Sequence, residues 1–353
     1  MGRQPTLAVV GATGSVGTVM RELLTSRRNV WGEIRLIASA RSAGKELPCR
    51  GEQLTVQELT PEVFDGVDVA MFDIPDELSR EWAPIAAGRG VTVVDNSPAW
   101  RMERDVPLVV PEINGEALRY RPRGIVANAN CTTMTMLMAI APLHHEYELR
   151  ELVVASYQSV SGAGQIGVDI LHDQLSKVAG DRTLGSRPGN VRQAVGDDLG
   201  PFPAPLALNV VPWAGDFGPL GWSSDELKLR DESRKILALP DLKVSATCVQ
   251  VPVVTGHSVA VHAVFGSEIT ADEARQVLRN APGVILVDDP EAGEFPMPID
   301  AVGTDPSWVG RIRRAMDDPR ALDLFITGDN MRKGAALNTV QIAEMLAAEI
   351  ARS

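Results

Sequence analysis

Cys131 lies in Asn128-Ala-Asn130-Cys131-Thr-Thr-Met134, directly after the apolar run GIVAN (124–128) and before the apolar run TMTMLMAIAPL. The first run reads as a strand and the second as a helix, so the thiol is predicted at a helix N-terminus. Free N–H groups and the helix dipole there favour the thiolate, the nucleophilic form. A strand-turn-helix elbow also exposes its side chain at the carboxyl end of a sheet, where doubly wound folds bind ligands. Cys248, inside an alternating run, and Cys49 read as buried, inert thiols. A thiolate nucleophile needs a proton-transfer partner. His144 and His145 end the helix after Cys131 and complement its C-terminal charge. His172 falls in a helical stretch and His262 in an alternating strand, so both read as structural. His257, in Thr255-Gly256-His257-Ser258, is expected in a loop between two strands and is the best-placed candidate.

A second feature is the loop Gly11-Ala-Thr13-Gly14-Ser15-Val16-Gly17, set between a predicted strand (6–11) and a predicted helix (16–24). Glycines let such a turn close and let the backbone approach a pyrophosphate, which then rests on the helix N-terminus. The second strand (34–38) runs into Ser39-Ala-Arg41-Ser42-Ala-Gly-Lys45. NAD sites place an acid here for the ribose 2′-hydroxyl. This stretch has none, and its hydroxyls and cations suit a 2′-phosphate instead, which predicts NADP.

These features need elements to hold them. Runs at 67–72, 91–95 and 124–128, with a polar helix near 77–88, continue the strand-helix rhythm of a doubly wound, mostly parallel Rossmann-like sheet. After residue 150 the runs ELVVASYQSVS, LNVVP, KVSATCVQVPVV and SVAVHAVFGS read as longer strands of a mostly antiparallel sheet, making an α+β unit. Residues 180–206 are rich in Gly, Pro and charge and read as an exposed excursion. The Ala-rich segment 334–352 reads as a helix. The expected division is a domain over 1–130, completed by 331–353, and a second over 131–330.

The 353 residues are 44% hydrophobic and 23% charged, the composition of an ordinary globular chain. Lys+Arg 34 against Asp+Glu 46 gives a net charge of −12, which argues against general nucleic-acid binding. No run reaches membrane-span length, and the start MGRQPTLAVVG enters a strand at once, so neither a membrane segment nor a signal peptide is expected. Three cysteines cannot all pair, which points to a reducing, cytoplasmic compartment. No His, Cys or acid spacing suggests a metal site.

Taken in order, GATGSVG, SARSAG, NSPAWR, NANCTTM, YQSVSGAG, KLRDESRKI, TGHS and GDNMRKGAALNT resemble the aspartate-semialdehyde dehydrogenase family of bacterial type, from about residue 6 to residue 350. NANCTTM and GDNMRKGAALNT are the specific signals. The resemblance implies reversible conversion of an aldehyde, phosphate and NADP to an acyl phosphate and NADPH through a cysteine thioester. It implies Cys131 as nucleophile, His257 as acid/base and Gln158 as the residue orienting the acyl intermediate. Arg101 and Lys228 would bind phosphate, with Asn130, Asp225 and Gln250 completing the substrate site. Gly11, Thr13, Gly14, Ser15, Val16, Ser39, Arg41, Ser42, Asp73, Gly162 and Asn330 would serve NADP, with Lys333 and Gly334 nearby. A homodimer or tetramer is implied too.

The chain departs from that pattern at substrate-reading positions. Seven residues before the histidine the family has an Arg that clamps a carboxylate; here Gln250 offers no charge. Three residues before Lys228 the family has Glu, here Asp225. The small Ser-Ala-Gly turn after the third strand is here Asp73-Ile-Pro-Asp76, and Ser-Ser before AWR is here Ser97-Pro98. One alternative is therefore a paralogue acting on another semialdehyde, acyl phosphate or acyl-CoA. An alternative of another class is a non-catalytic NADP-binding regulatory protein.

Overall fold

A computed structural model describes residues 3–352. The chain forms two compact units, one drawn from within residues 1–130, 235–238 and 331–353, the other from 131–234 and 239–330.

The first unit alternates β1 (Leu7–Val10), α1 (Ser15–Ser26) and β2 (Ile34–Ala38), then a hairpin of β3 (Glu46–Cys49) and β4 (Glu52–Thr55). It continues through β5 (Gln57–Glu58), β6 (Val69–Phe72), α2 (Asp76–Gly88), β7 (Thr92–Asp95), β8 (Leu108–Val109), α3 (Pro111–Asn114) and β9 (Ile125–Asn128). Seven strands pair in the order β5-β2-β1-β6-β7-β9-β8, all in parallel. Their short runs are buried end to end because both faces are covered. Leu7, Val9, Val69 and Met71 pack against Met20 and Leu23 of α1 and against Val340, Ala343 and Leu346 near the chain's end.

The strand order reverses between β1 and β6, which opens a crevice at their carboxyl ends. Gly11 sits there at φ +92°, and a Cβ on it would stand 2.1 Å from the Asp73 carbonyl oxygen, so only glycine fits.

The second unit opens with α4 (Cys131–Tyr147), buried on nearly all sides, as its uniformly apolar sequence requires. There follow β10 (Leu149–Gln158), α5 (Gln165–Val178), α6 (Asn190–Val195), α7 (Ser224–Ile236), β11 (Lys243–Gln250) and β12 (His257–Phe265). The unit closes with α8 (Ala271–Arg279), β13 (Val284–Leu286), α9 (Pro298–Ala301), β14 (Ser307–Arg314) and β15 (Ala321–Gly328). The sheet order is β11-β10-β12-β15-β14-β13. Three pairings are antiparallel and two, β10–β11 and β13–β14, are parallel, so the sheet is mixed.

Two expectations change. LNVVP is no strand: Leu208 and Val210 are exposed, and only Val211 makes a bridge, to Gln250. The excursion 180–206 is not wholly irregular, since α6 lies inside it and buries Val195 against Val178 and Ala207.

The closing segment belongs to the first unit. A π-turn over Arg332–Ala336 leads into α10 (Leu337–Ile350). Lys333 is buried there, and its ammonium donates to Glu112 Oε2, Asn338 Oδ1 (2.8 Å) and Gln341 Oε1 (2.7 Å). All three of its N–H donors are thus committed within the unit, which leaves none to offer a cofactor. Lys333→Ala strands the Glu112 carboxylate. We expect it to cost about 3–5 kcal/mol of stability, the usual cost of breaking a buried ion pair, read as a lower urea midpoint. An unchanged midpoint would show that the cluster is not holding the segment.

Candidate active site

Cys131 is the first residue of α4. The N–H groups of a helix's first turn have no partner within the helix and favour negative charge beside them. The Cys131 Sγ lies 3.1 Å from His257 Nε2, although 126 residues separate the two. His257 is not in a loop, as its glycine neighbour had implied; it is the first residue of β12, paired with Gly328. The turn before it is made by Gly256 at φ +100°, where a Cβ would stand 2.9 Å from Pro298 Cβ. The sequence shows the glycine but not that the ladder begins on the very next residue.

The imidazole is buried, and burial pushes its pKa down to about 4, opposed in part by the charge of Asp225. At neutral pH the ring is therefore uncharged. Its other nitrogen, Nδ1, faces Ser159: the Ser159 N–H donates to it at 3.1 Å, and Ser159 Oγ stands at 3.1 Å. Gly162 lies against the ring's edge, where a Cβ would meet Cε1 at 3.4 Å.

Gln158 ends β10, and its amide Nε2 donates to Thr132 Oγ1 at 2.8 Å, one residue beyond the thiol. Gln250 is its register partner on the neighbouring parallel strand β11, so the two side chains share a face of the sheet. The Gln250 backbone is tied on both sides to Val211, while its side-chain Oε1 is buried with no hydrogen-bond partner. Asp225 stands in the first turn of α7 and pairs with Lys228 at 2.9 Å. That turn is fixed by a reciprocal Ser223–Glu226 cap, and Glu226 also accepts from the Cys248 N–H. Cys248 is the inert thiol its strand position implied: burial pushes its pKa up to about 12.

In the first unit, Thr13 and Gly14 are exposed at the start of α1, which no side chain caps, so the N–H groups about Ser15 and Val16 are available to an anion. Ser39 and Arg41 face outward beyond β2, whereas Ser42 is buried. Asp73 follows β6. Its carboxyl accepts from Asn96 Nδ2 at 2.8 Å, and burial raises its pKa. Arg101 is buried and donates through Nη2 to the Asn96 carbonyl. Nearby Asp95 accepts from Ser79 and Ser97, and burial pushes its pKa up to about 6 against those bonds and the Arg101 charge. Asn130, just before the thiol, is buried. Among the described residues no group of three or more His, Cys, Asp or Glu side chains could hold a metal. No helix among them is long and apolar enough to cross a membrane.

Sequence reasoning missed Ser159, Ser161 and the place of Asn330. Asn330 Oδ1 accepts from Gly256 N–H (2.9 Å), Ser159 Oγ (3.0 Å) and Ser161 Oγ (3.2 Å), and its Nδ2 donates to Ser161 Oγ at 2.9 Å. Its side chain is engaged around His257.

Two family models match the chain. One, described as semialdehyde dehydrogenase, NAD binding domain, covers residues 6–120; the other, semialdehyde dehydrogenase, dimerisation domain, covers 140–333. The aspartate-semialdehyde dehydrogenase of Streptomyces akiyoshiensis is 47% identical over 98% of this chain and 99% of its own length. The chain belongs to the aspartate-semialdehyde dehydrogenase family. Aspartate semialdehyde dehydrogenase II from Vibrio cholerae superposes with a TM-score of 0.90 at 39% identity, over 98% of this chain and 99% of that one. The Candida albicans enzyme, solved with NADP, gives 0.75 at 26% identity over 99% and 100%.

The two thiols of the second unit separate chemically in this family member. Iodoacetamide at pH 7 is expected to label Cys131 and leave Cys248 unlabelled until the protein is unfolded, as peptide mass mapping would show. Equal labelling of both would contradict the burial and helix-terminus argument.

Proposed function

We propose that this chain is an NADP-dependent phosphorylating semialdehyde dehydrogenase that acts through a thioester on Cys131. The observation that carries the reading is the 3.1 Å contact between Cys131 Sγ and His257 Nε2 at the start of α4. The first unit fits the cofactor: Gly11 and Gly14 leave room at the crevice, α1 starts uncapped, and Ser39 and Arg41 suit a 2′-phosphate. Gly11, Thr13, Gly14, Ser15 and Val16 would hold the pyrophosphate.

In the oxidative direction the Cys131 thiolate adds to the aldehyde carbon, forming a C–S bond as the carbonyl π pair moves onto oxygen. His257, facing the sulfur, exchanges protons with the sulfur and with that oxygen. Bound NADP supplies the acceptor for the hydride lost from the carbon. The acyl group then remains on Cys131 as a thioester, oriented by Gln158. Inorganic phosphate, gathered by Arg101 and Lys228, attacks the acyl carbon and releases the thiolate and an acyl phosphate. Lys228 must exchange its Asp225 partner for the phosphate to do so. The protein works as a homodimer, or as a tetramer built from it. Val153 and Tyr157, exposed on the β10 face opposite Gln158, support such a contact. Three cysteines without disulfides support a reducing, cytoplasmic setting.

The test is NADPH formation, followed by absorbance, from L-aspartate semialdehyde, NADP and phosphate. Formation should need phosphate, and Cys131→Ser should lower it by at least about 10³-fold while leaving NADPH binding intact. Undiminished turnover by that variant would remove the mechanism.

A second reading concerns the acyl group. The partnerless buried Oε1 of Gln250, on the Gln158 face, supports a substrate whose far end carries an uncharged hydrogen-bond donor rather than a free carboxylate. Gln250→Arg should then raise kcat/KM for L-aspartate semialdehyde by about tenfold or more, a gain worth about 1.4 kcal/mol. A variant that only loses activity on every aldehyde would sink this reading and leave the first standing.

A further inference from the structure

His257 is held through one residue that offers Nδ1 two opposite groups. The Ser159 N–H can only donate, so it suits the tautomer with a lone pair on Nδ1 and the proton on Nε2. That tautomer cannot take a proton from Cys131, because Nε2 already carries one. Ser159 Oγ, at the same 3.1 Å, supplies the alternative. Its own hydrogen is directed to Asn330 Oδ1 at 3.0 Å, an atom that can only accept. A lone pair of Ser159 Oγ is therefore turned toward Nδ1. Asn330 is itself fixed by Gly256 N–H and Ser161, and the group is buried from solvent.

We propose that Ser159 and Asn330 are positioning residues that make His257 a base: Asn330 holds the Ser159 hydroxyl so that its oxygen accepts Nδ1–H, which frees Nε2 to take the Cys131 proton. The transfer balances within the residues named. The S–H bond breaks and its electron pair stays on sulfur. The proton forms Nε2–H, and the resulting imidazolium donates from Nδ1 to Ser159 Oγ in place of the bond Nδ1 accepts from the Ser159 N–H. When Nε2–H is passed to the substrate oxygen the ring is neutral again. The pair does by neutral hydrogen bonds what a carboxylate does in a charged triad. A neutral partner steadies the cation less than a carboxylate does, which accords with a ring that rests uncharged. The titratable groups bearing on the ring among the described residues are Cys131 on α4, in contact, and Asp225 on α7, acting through its charge.

The inference rests on Cys131 being the nucleophile, and that reading fails separately, through undiminished turnover of Cys131→Ser. The test is the pH profile of Cys131 alkylation by iodoacetamide in the full-length protein, alongside steady-state kinetics. Ser159→Ala leaves only the N–H facing Nδ1. Its alkylation profile should move up by about one pH unit or more, and kcat should fall by about 10²-fold with NADPH affinity kept. Ser159→Thr, which retains the hydroxyl, should restore both. Asn330→Asp keeps the acceptor and adds charge, so its profile should move the opposite way, to lower pH. If Ser159→Ala does not fold, that downward shift in Asn330→Asp carries the test alone. Variants that fold, bind NADPH and alkylate with the wild-type profile would overturn the proposal. So would losses of rate uniform at every pH, which would mark these residues as merely structural.

Discussion

The contact between Cys131 and His257 is the arrangement on which the second unit's design turns. One partner opens a helix and the other opens a strand, so each is placed by an element boundary rather than by an element's interior. A helix start is kept in place by the burial of residues 132–140 behind it. A strand start is kept in place by its ladders, to Tyr157 through Ser258 on one side and to Gly328 on the other. The same enclosure has an electrical consequence. Burial excludes water from the imidazole and disfavours its charged form. Chemistry that needs a transient cation there depends on whichever polar atoms remain close.

Both units put the start of a helix at their reactive end. In the first, α1 follows a glycine turn and presents bare N–H groups. In the second, α4 opens with a sulfur at its first position. One physical device, the positive end of a helix dipole, thus suits a phosphate in one place and a thiolate in the other. The difference is a matter of the first residue, not of architecture.

That economy explains what the sequence makes legible. The glycine loop and the cysteine elbow are local: strand, turn and helix follow one another within about a dozen residues, and each can be read off one stretch of chain. His257 could be picked out among five histidines by its glycine, yet its place at a strand start depends on pairing with a segment 71 residues later, so it read as a loop. Ser159 and Asn330 fall in the family-like stretches YQSVSGAG and GDNMRKGAALNT, and Asn330 reads there as a cofactor residue; their link to His257 is not local, because it exists only when 159–161, 256 and 330 converge. LNVVP shows the opposite error. Its β-branched composition reads as a strand, but a strand needs a neighbour along its length, and the chain offers one only at Val211. Gln158 and Gln250 stood out through the family resemblance; the structure adds that they are register partners.

The first unit is built from both ends of the chain. Leu7 and Val9, among the first residues of β1, share one apolar cluster with Leu337, Val340, Ala343 and Leu346. During synthesis the parallel strands therefore emerge without the helix that covers one of their faces, and some two hundred residues of another unit are made before it arrives. Closing so long a loop is slow relative to local folding. The second unit, whose residues are nearly continuous in sequence, can consolidate first. The first unit then completes after the second, and until α10 arrives its uncovered strands are the part of the nascent chain most in need of protection from aggregation.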